Sequence, residues 1–118
     1  MHELAIAESI AEGVTRHAQE CRAQRVTSVR VQIGEASGIV NDSLAFSFEM
    51  IATMEPLLSG ARLVIERVPH RARCRHCQQE FDVIRFVAQC PDCETWDTDI
   101  ISGTELRVLD MEIEASKE

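Results

Sequence analysis

Apolar residues recur at helical spacing near the start of the chain. Leu4, Ala7, Ile10, Ala11, Val14 and Ala18 share one stripe, and Glu8, Glu12, Arg16 and Glu20 take the opposite face. The spacing predicts an amphipathic helix of about four to five turns, which Gly13 weakens without ending. Val29, Val31 and Ile33 then alternate with Ser28, Arg30 and Gln32, a half-buried strand stopped at Gly34. Asn41 or Asp42 is the expected cap of a second helix that places Leu44, Phe48 and Ile51 on one face and ends before Pro56. After the Ser59-Gly60 turn, Leu63 to Val68 reads as a second strand, closed by Pro69. Alternation returns after Ser102-Gly103, with Leu109, Met111 and Ile113 against Asp110, Glu112 and Glu114. This last strand has no neighbour of its own kind nearby in sequence. It is expected to return and pair with the earlier strands.

Between these segments lies a region of different character. Two Cys-x-x-Cys pairs, Cys74-Arg-His-Cys77 and Cys90-Pro-Asp-Cys93, stand twelve residues apart. Each can form a tight turn that aims two thiolates at one point, and two such turns complete a tetrahedral four-sulfur shell. Zinc suits that shell, because a filled d shell imposes no competing geometry and thiolate is a soft ligand. A redox Cys-x-x-Cys normally follows a strand and opens a helix, and neither pair has a helical pattern after it. Disulfides would imply an oxidising compartment, against which stand an odd cysteine, Cys21, and the expectation of no secretory leader. Four protein ligands leave no open position, so the metal is expected to be structural. Neither pair is followed by the glycine common in zinc knuckles; Gln78 and Glu94 stand there. Short hairpin-like pieces are expected around Phe81 to Phe86, with too little apolar surface to order the segment without its metal.

The fold class that follows is α/β: a small unit of two helices on a three-stranded sheet, interrupted by a zinc-ribbon-like module. The expected domains are residues 1–68, completed by the strand in 104–118, and a zinc-binding domain at 69–103. With 118 residues and 45% apolar content, the chain supports one modest core. No apolar run approaches the ~20 residues of a membrane span. The net charge of −8 argues against broad nucleic-acid affinity. Arg62, Arg67, Arg71, Arg73 and Arg75 nevertheless crowd the approach to the first cysteine pair, either as a solvated face or as an anion or partner site.

Met1-His2-Glu3 offers a second kind of metal chemistry. Methionine ahead of a bulky histidine is normally retained, so the mature chain is expected to begin with a free amine. That amine, the backbone nitrogen of His2 and its imidazole can close fused chelate rings around one cation. A nitrogen-rich planar set favours Ni(II) or Cu(II) over zinc. The bland alternative is an exposed histidine with no ligand role.

Context weighs on that choice. Met-His-Glu-Leu ahead of an amphipathic helix, Val-Gln-Ile-Gly-Glu at 31–35, Ser-Leu-Ala-Phe at 43–46 and two late Cys-x-x-Cys pairs together resemble the HypA/HybF family of nickel metallochaperones. The resemblance runs over nearly the whole chain in order. It implies that His2 is the nickel ligand, that Glu3 contributes to that site, and that Cys74, Cys77, Cys90 and Cys93 hold structural zinc. Asp42 is the only carboxylate candidate from the loop before the second helix. The resemblance also implies Ni(II) as cargo for [NiFe]-hydrogenase maturation in the cytoplasm. Its expected partners are a HypB-type GTPase and the hydrogenase large-subunit precursor, with no nucleic acid and no membrane. The carrier is expected to be a monomer or weak homodimer.

The other candidates read as ordinary residues. Cys21 is expected to pack, His17 to lie at the surface, His70 to join the arginine face, and His76 to be spare beside four thiolates. No serine nucleophile with a base, phosphate loop or paired acid is recognisable, so no enzymatic activity is expected. The rival classes are a zinc-ribbon binding module for nucleic acid or a transcription factor, using the arginine cluster, and a metalloenzyme with an open nickel site.

Overall fold

The computed structural model describes residues 2–115. They form two compact units. One is built from the chain up to Gln32, Ile39–Glu66 and Arg107 onward; the other from Ile33–Gly38 and Arg67–Leu106.

In the first unit, α1 (Glu3–Glu20) buries Glu3, Ala7, Ile10, Ala11, Val14 and Ala18. Five of the six expected apolar positions are therefore inside, but Leu4 is exposed and Glu3 takes its place. Glu3 lies on the i, i+4, i+7 stripe through Ala7, Ile10 and Val14, whereas Leu4 is one residue, roughly 100°, off it. The second helix, α2 (Asn41–Ala52), buries Leu44, Phe48 and Ala52. Ile51, expected on that face, is only half-buried. Neither Asn41 nor Asp42 caps this helix: Val40 is the N-cap and contributes no side-chain bond. Instead the Val40 N–H donates to Glu3 Oε2 at 3.0 Å. A carboxylate at the N-terminus of α2 satisfies a donor and meets the positive end of the helix dipole.

The sheet of this unit has the order β2-β1-β6, from β1 (Ala23–Gly34), β2 (Arg62–Val68) and β6 (Leu106–Ala115). The last strand thus returns to lie beside the first. The pairs Arg25–Glu114, Arg30–Asp110 and Gln32–Arg107 run in opposite senses along β1 and β6, which makes that pairing antiparallel. β1 begins six residues before Val29, at Ala23, because Arg22 adopts a left-handed φ of 56° and turns the chain straight out of α1. The early half was hidden in the sequence by its polar residues. Its burial phase also slips, with Val26 inside and then Val29, Val31 and Ile33.

The second unit contains β3 (Arg71–Cys74), β4 (Glu80–Asp82) and β5 (Thr98–Ser102), antiparallel in the order β4-β3-β5. Alternation in β3 sends Arg71 and Arg73 to one face and Ala72 and Cys74 to the other. The inner face packs with Phe81, Val83 and Cys90. Two glycines close this unit by backbone approach. Gly34 N–H donates to the Glu105 carbonyl at 2.8 Å, and Ala36 N–H to the Gly103 carbonyl at 2.8 Å. A Cβ on Gly34 would overlap the Gly103 carbonyl, and one on Gly103 (φ 106°) would overlap the His70 backbone.

Two glycine substitutions should therefore act with opposite sign. Gly34→Ala forces backbone against backbone and should lower stability by about 1–3 kcal/mol. Gly13→Ala, in α1 with nothing within 4 Å of the added carbon, should raise it by about 0.5–1 kcal/mol. Urea denaturation of the two variants checks both signs.

Candidate metal centres

Cys74 ends β3 and Cys77 follows one turn later; Cys90 and Cys93 repeat the arrangement after β4. The two turns have the same wiring. Cys74 N–H donates to the Gln79 carbonyl at 2.9 Å and Cys90 N–H to the Thr95 carbonyl at 3.0 Å. Gln78 N–H returns to the Cys74 carbonyl at 3.0 Å and Glu94 N–H to the Cys90 carbonyl at 2.9 Å. Gln78 and Glu94 have left-handed φ values of 66° and 59°, so they adopt the conformation that a glycine would take there. Their side chains are tolerated because both positions face outward. That reconciles the missing knuckle glycines with a knuckle geometry.

The four sulfurs lie within 4.8 Å of one another, with Cys74 and Cys90 buried and Cys77 and Cys93 exposed. All four are free thiols. Cys77 Sγ and Cys90 Sγ are 3.7 Å apart. That excludes a disulfide between them, which needs about 2.05 Å, and equals the edge of about 3.8 Å in a tetrahedron with zinc–sulfur bonds of about 2.3 Å. Backbone donors already address the sulfurs as anions. His76 N–H and Cys77 N–H each reach Cys74 Sγ at 3.4 Å, and Cys93 N–H reaches Cys90 Sγ at 3.4 Å. These donors, Cys77 N–H foremost and His76 N–H behind it, lower the Cys74 thiol to about 6. Cys93 is pushed up to about 12, first by its hydrogen bond with the Cys77 sulfur and then by burial. Crowded thiols resist ionising together, and a dication removes that resistance. The donor set therefore fits structural zinc.

The arginine cluster is neutralised in place. Arg71 pairs with Asp82, Arg73 with Glu80 at 2.7 Å, Arg75 with Asp97 at 3.2 Å and also with Asp99, and Arg67 with Glu35 at 3.2 Å. Arg62 lies 3.7 Å from Glu49. Arg73 holds the Glu80 carboxyl below its ordinary range and Arg75 does the same for Asp99. This is the solvated-face reading, and it removes the basic patch that a nucleic-acid module would need.

At the other end of the chain, His2 is exposed at the N-cap of α1, and its carbonyl accepts the Ile6 N–H at 2.9 Å. Met1, whose amine is an expected ligand from the sequence, lies outside the described residues. Glu3 is turned inward to Val40, and Asp42 is exposed in the first turn of α2. Among the described residues, the four cysteines are the one group of three or more metal-ligating side chains brought together; His2, Glu3 and Asp42 are not so gathered. Asn41, expected from the sequence as a cap, has instead a buried Oδ1 with no hydrogen-bond partner among the described residues at the start of α2.

The remaining histidines and Cys21 divide. His17 is at the surface, 3.7 Å from Glu20. Cys21 is exposed at the end of α1, so it does not pack as expected: the helix ends there and its side chain has no core above it. His70 is buried and not part of the arginine face, because Gly103 approaches it so closely and Phe86 stands edge-on to its ring at 5.7 Å. His76 faces Asp97 at 3.2 Å and lies outside the sulfur cluster. Among the described residues, no helix is long and apolar enough to cross a membrane.

Comparisons agree with this geometry. A family profile described as "Hydrogenase/urease nickel incorporation, metallochaperone, hypA" matches residues 1–113. The hydrogenase maturation factor HypA of Geotalea uraniireducens is 43% identical over 114 residues, spanning 97% of this chain and 100% of the relative. HypA of Dehalococcoides mccartyi is 32% identical over 114 residues, spanning 97% of this chain and 95% of the relative. Among solved structures, the solution structure of the Ni metallochaperone HypA from Helicobacter pylori aligns with a TM-score of 0.69 at 26% identity, covering 98% of this chain and 100% of that one. Tetrathiolate centre, α/β architecture and sequence similarity along nearly the full length converge, and the chain belongs to the HypA family of nickel metallochaperones for hydrogenase maturation.

Proposed function

We propose that the chain binds one Ni(II) at its amino terminus, with His2 as the principal ligand, and delivers it to the large-subunit precursor of a [NiFe]-hydrogenase. The observation that carries this reading is the contrast between the two donor sets. His2 is exposed at a helix start, outside any closed cluster. A cargo site needs few, accessible ligands that an acceptor can replace stepwise, and an imidazole at a helix end offers that. The four cysteines are the opposite: Cys74, Cys77, Cys90 and Cys93 saturate one ion and leave no position for exchange. When bound, zinc neutralises the thiolates and cross-links the two turns; it does no chemistry on the cargo.

The functional division follows the two donor sets, with residues 1–68 and 104–118 as the nickel-binding domain and 69–103 as the zinc-binding domain. A HypB-type GTPase and the large-subunit precursor are the partners in this reading, in the cytoplasm. The carrier acts as a monomer or weak homodimer and is not itself an enzyme. Glu3 supports the site from behind, since its bond to Val40 N–H holds the start of α1 against the start of α2.

His2→Ala should abolish stoichiometric Ni(II) binding, measured by calorimetry on untagged protein, while zinc content and circular dichroism stay as in the wild type. Retained nickel affinity would place the site elsewhere, with Asp42, His17 and His76 next to be replaced.

Replacing Cys74 or Cys93 with alanine should release zinc and open the segment from about Pro69 to Gly103 to protease, because metal binding there is coupled to folding. Helix α1 should survive. A zinc-free variant that resists proteolysis like the wild type would sink the structural assignment.

Nickel should leave in mild acid while zinc stays. A ligand imidazole must be neutral, so protons compete with nickel for it. The release midpoint should therefore move to lower pH as free nickel rises. Four thiolates sharing one dication are far harder to protonate in this window. Following both metals through one pH titration separates the cases: simultaneous loss would mean a single unfolding event, and pH-independent nickel affinity would exclude an imidazole ligand.

A further inference from the structure

The cysteine-bearing unit holds one feature that neither metal chemistry nor packing explains. After Val83 the chain reverses in two residues: Ile84 and Val87 form an antiparallel bridge, and Val87 N–H donates to the Ile84 carbonyl at 3.0 Å. The residues between them, Arg85 and Phe86, both have positive φ, 54° and 65°. Two left-handed residues closing a hairpin make a type I′ turn, the position that asparagine-glycine fills at least strain. A charged and an aromatic residue there are costly choices for folding. Strain of this kind concentrates at functional positions.

The turn spends that strain on display. Ile84 is 68% exposed and Phe86 74% exposed, in a unit whose core has few apolar residues to spare. The base of the turn is clamped. Val83 N–H donates to the His70 carbonyl at 2.8 Å, Thr98 Oγ1 donates to the Ala88 carbonyl at 2.7 Å, and the buried His70 ring meets the Phe86 edge. The tip is thus a pre-shaped apolar knuckle, which limits the ordering cost of docking it.

Charge identifies what it fits. Arg67, Arg71, Arg73 and Arg75 each have a carboxylate partner. Arg85, between the two exposed apolar side chains, has none among the described residues. The geometry points to the Ile84–Val87 turn as a docking tip that inserts Phe86 and Ile84 into an apolar cleft of a protein partner, with Arg85 meeting carboxylates at the cleft's rim. A membrane is disfavoured as the occupant, because a chain of net charge −8 is repelled by an anionic surface that one arginine does little to offset. This inference rests on the carrier reading only in its choice of partners to test.

The test uses full-length, zinc-loaded protein and the double variant Arg85→Asn/Phe86→Gly, which supplies the preferred turn residues and so folds. Binding is measured by biolayer interferometry to the purified large-subunit precursor and, separately, to the HypB-type GTPase, with phosphatidylglycerol vesicles as a third arm. The double variant should melt at a higher temperature than the wild type, keep its zinc and nickel content, and bind one of the two proteins at least about tenfold more weakly. Arg85→Glu should weaken the same complex more than Arg85→Gln. Unchanged affinity of the double variant for both proteins overturns the proposal, as does a wild type that binds neither. Loss of vesicle binding alone would make the tip a membrane contact and also overturn it. Nickel uptake by the same samples judges the carrier reading independently.

Discussion

Four thiols within 4.8 Å of one another set the condition on which the cysteine-bearing unit rests. Brought together as anions they repel: backbone donors draw the Cys74 thiol down, and the Cys77 sulfur and burial push Cys93 up. A dication reverses the balance. The same sulfurs also form part of the hydrophobic interior: Cys74 and Cys90 pack with Ala72, Phe81 and Val83. Metal and core are therefore not separable here. Remove the cation, and two of five core residues become mutually repulsive just where β3 and the second turn must meet. So small a unit has little apolar burial in reserve to offset that loss.

The helix-bearing unit solves its folding problem by ordinary means. Phe48, Leu44, Leu58, Val26, Val29 and Val31 are fully buried, and each side chain of this size contributes about 1.5–3 kcal/mol against exposure. The surface pairs along β1 and β6, such as Arg30 with Asp110 at 2.6 Å, are solvent-exposed and add little. They do fix register, since Arg25, Arg30 and Gln32 each meet a complementary group on β6. Within this apolar frame Glu3 is the exception. A carboxylate inside the helical stripe is tolerated with the Val40 N–H and the α2 dipole to face.

What the sequence made legible follows from which interactions are periodic. Both helices, the cores of β1 and β2, and the return of β6 were readable because apolar residues repeat with the period of the element, although no residue of β6 is fully buried. The Cys-x-x-Cys pairs were readable because two thiolates on a tight turn have few other uses. What escaped depends on single long-range contacts. The N-cap of α2 fell to Val40 because a carboxylate thirty-seven positions away accepts its N–H. The sheet β4-β3-β5 escaped because its strands are three to five residues long and its ladder is a run of cross-strand ion pairs. Three of the arginines that looked like a patch in sequence, Arg71, Arg73 and Arg75, instead pair across that sheet. Cys21 and His70 were misjudged for a related reason: a residue type predicts burial only on average, and the end of α1 and the approach of Gly103 decided each case locally.

The left-handed residues separate structure from use in the same unit. Gln78 and Glu94 take positive φ, yet each is held by a backbone bond back to the first cysteine of its turn, in a loop whose thiols would close on one metal ion. Their conformation is accounted for by the metal shell. Arg85 and Phe86 take positive φ outside the thiol cluster, and Phe86 stays largely exposed despite its edge contact with His70. The backbone cost is of the same kind in both places, roughly 1–2 kcal/mol for each non-glycine residue. Only in the first does the folded chain by itself show the return. In the second, the docking proposed above would supply it: Arg85, with no carboxylate partner among the described residues, stands between the exposed Ile84 and Phe86, a grouping suited to being covered by a partner.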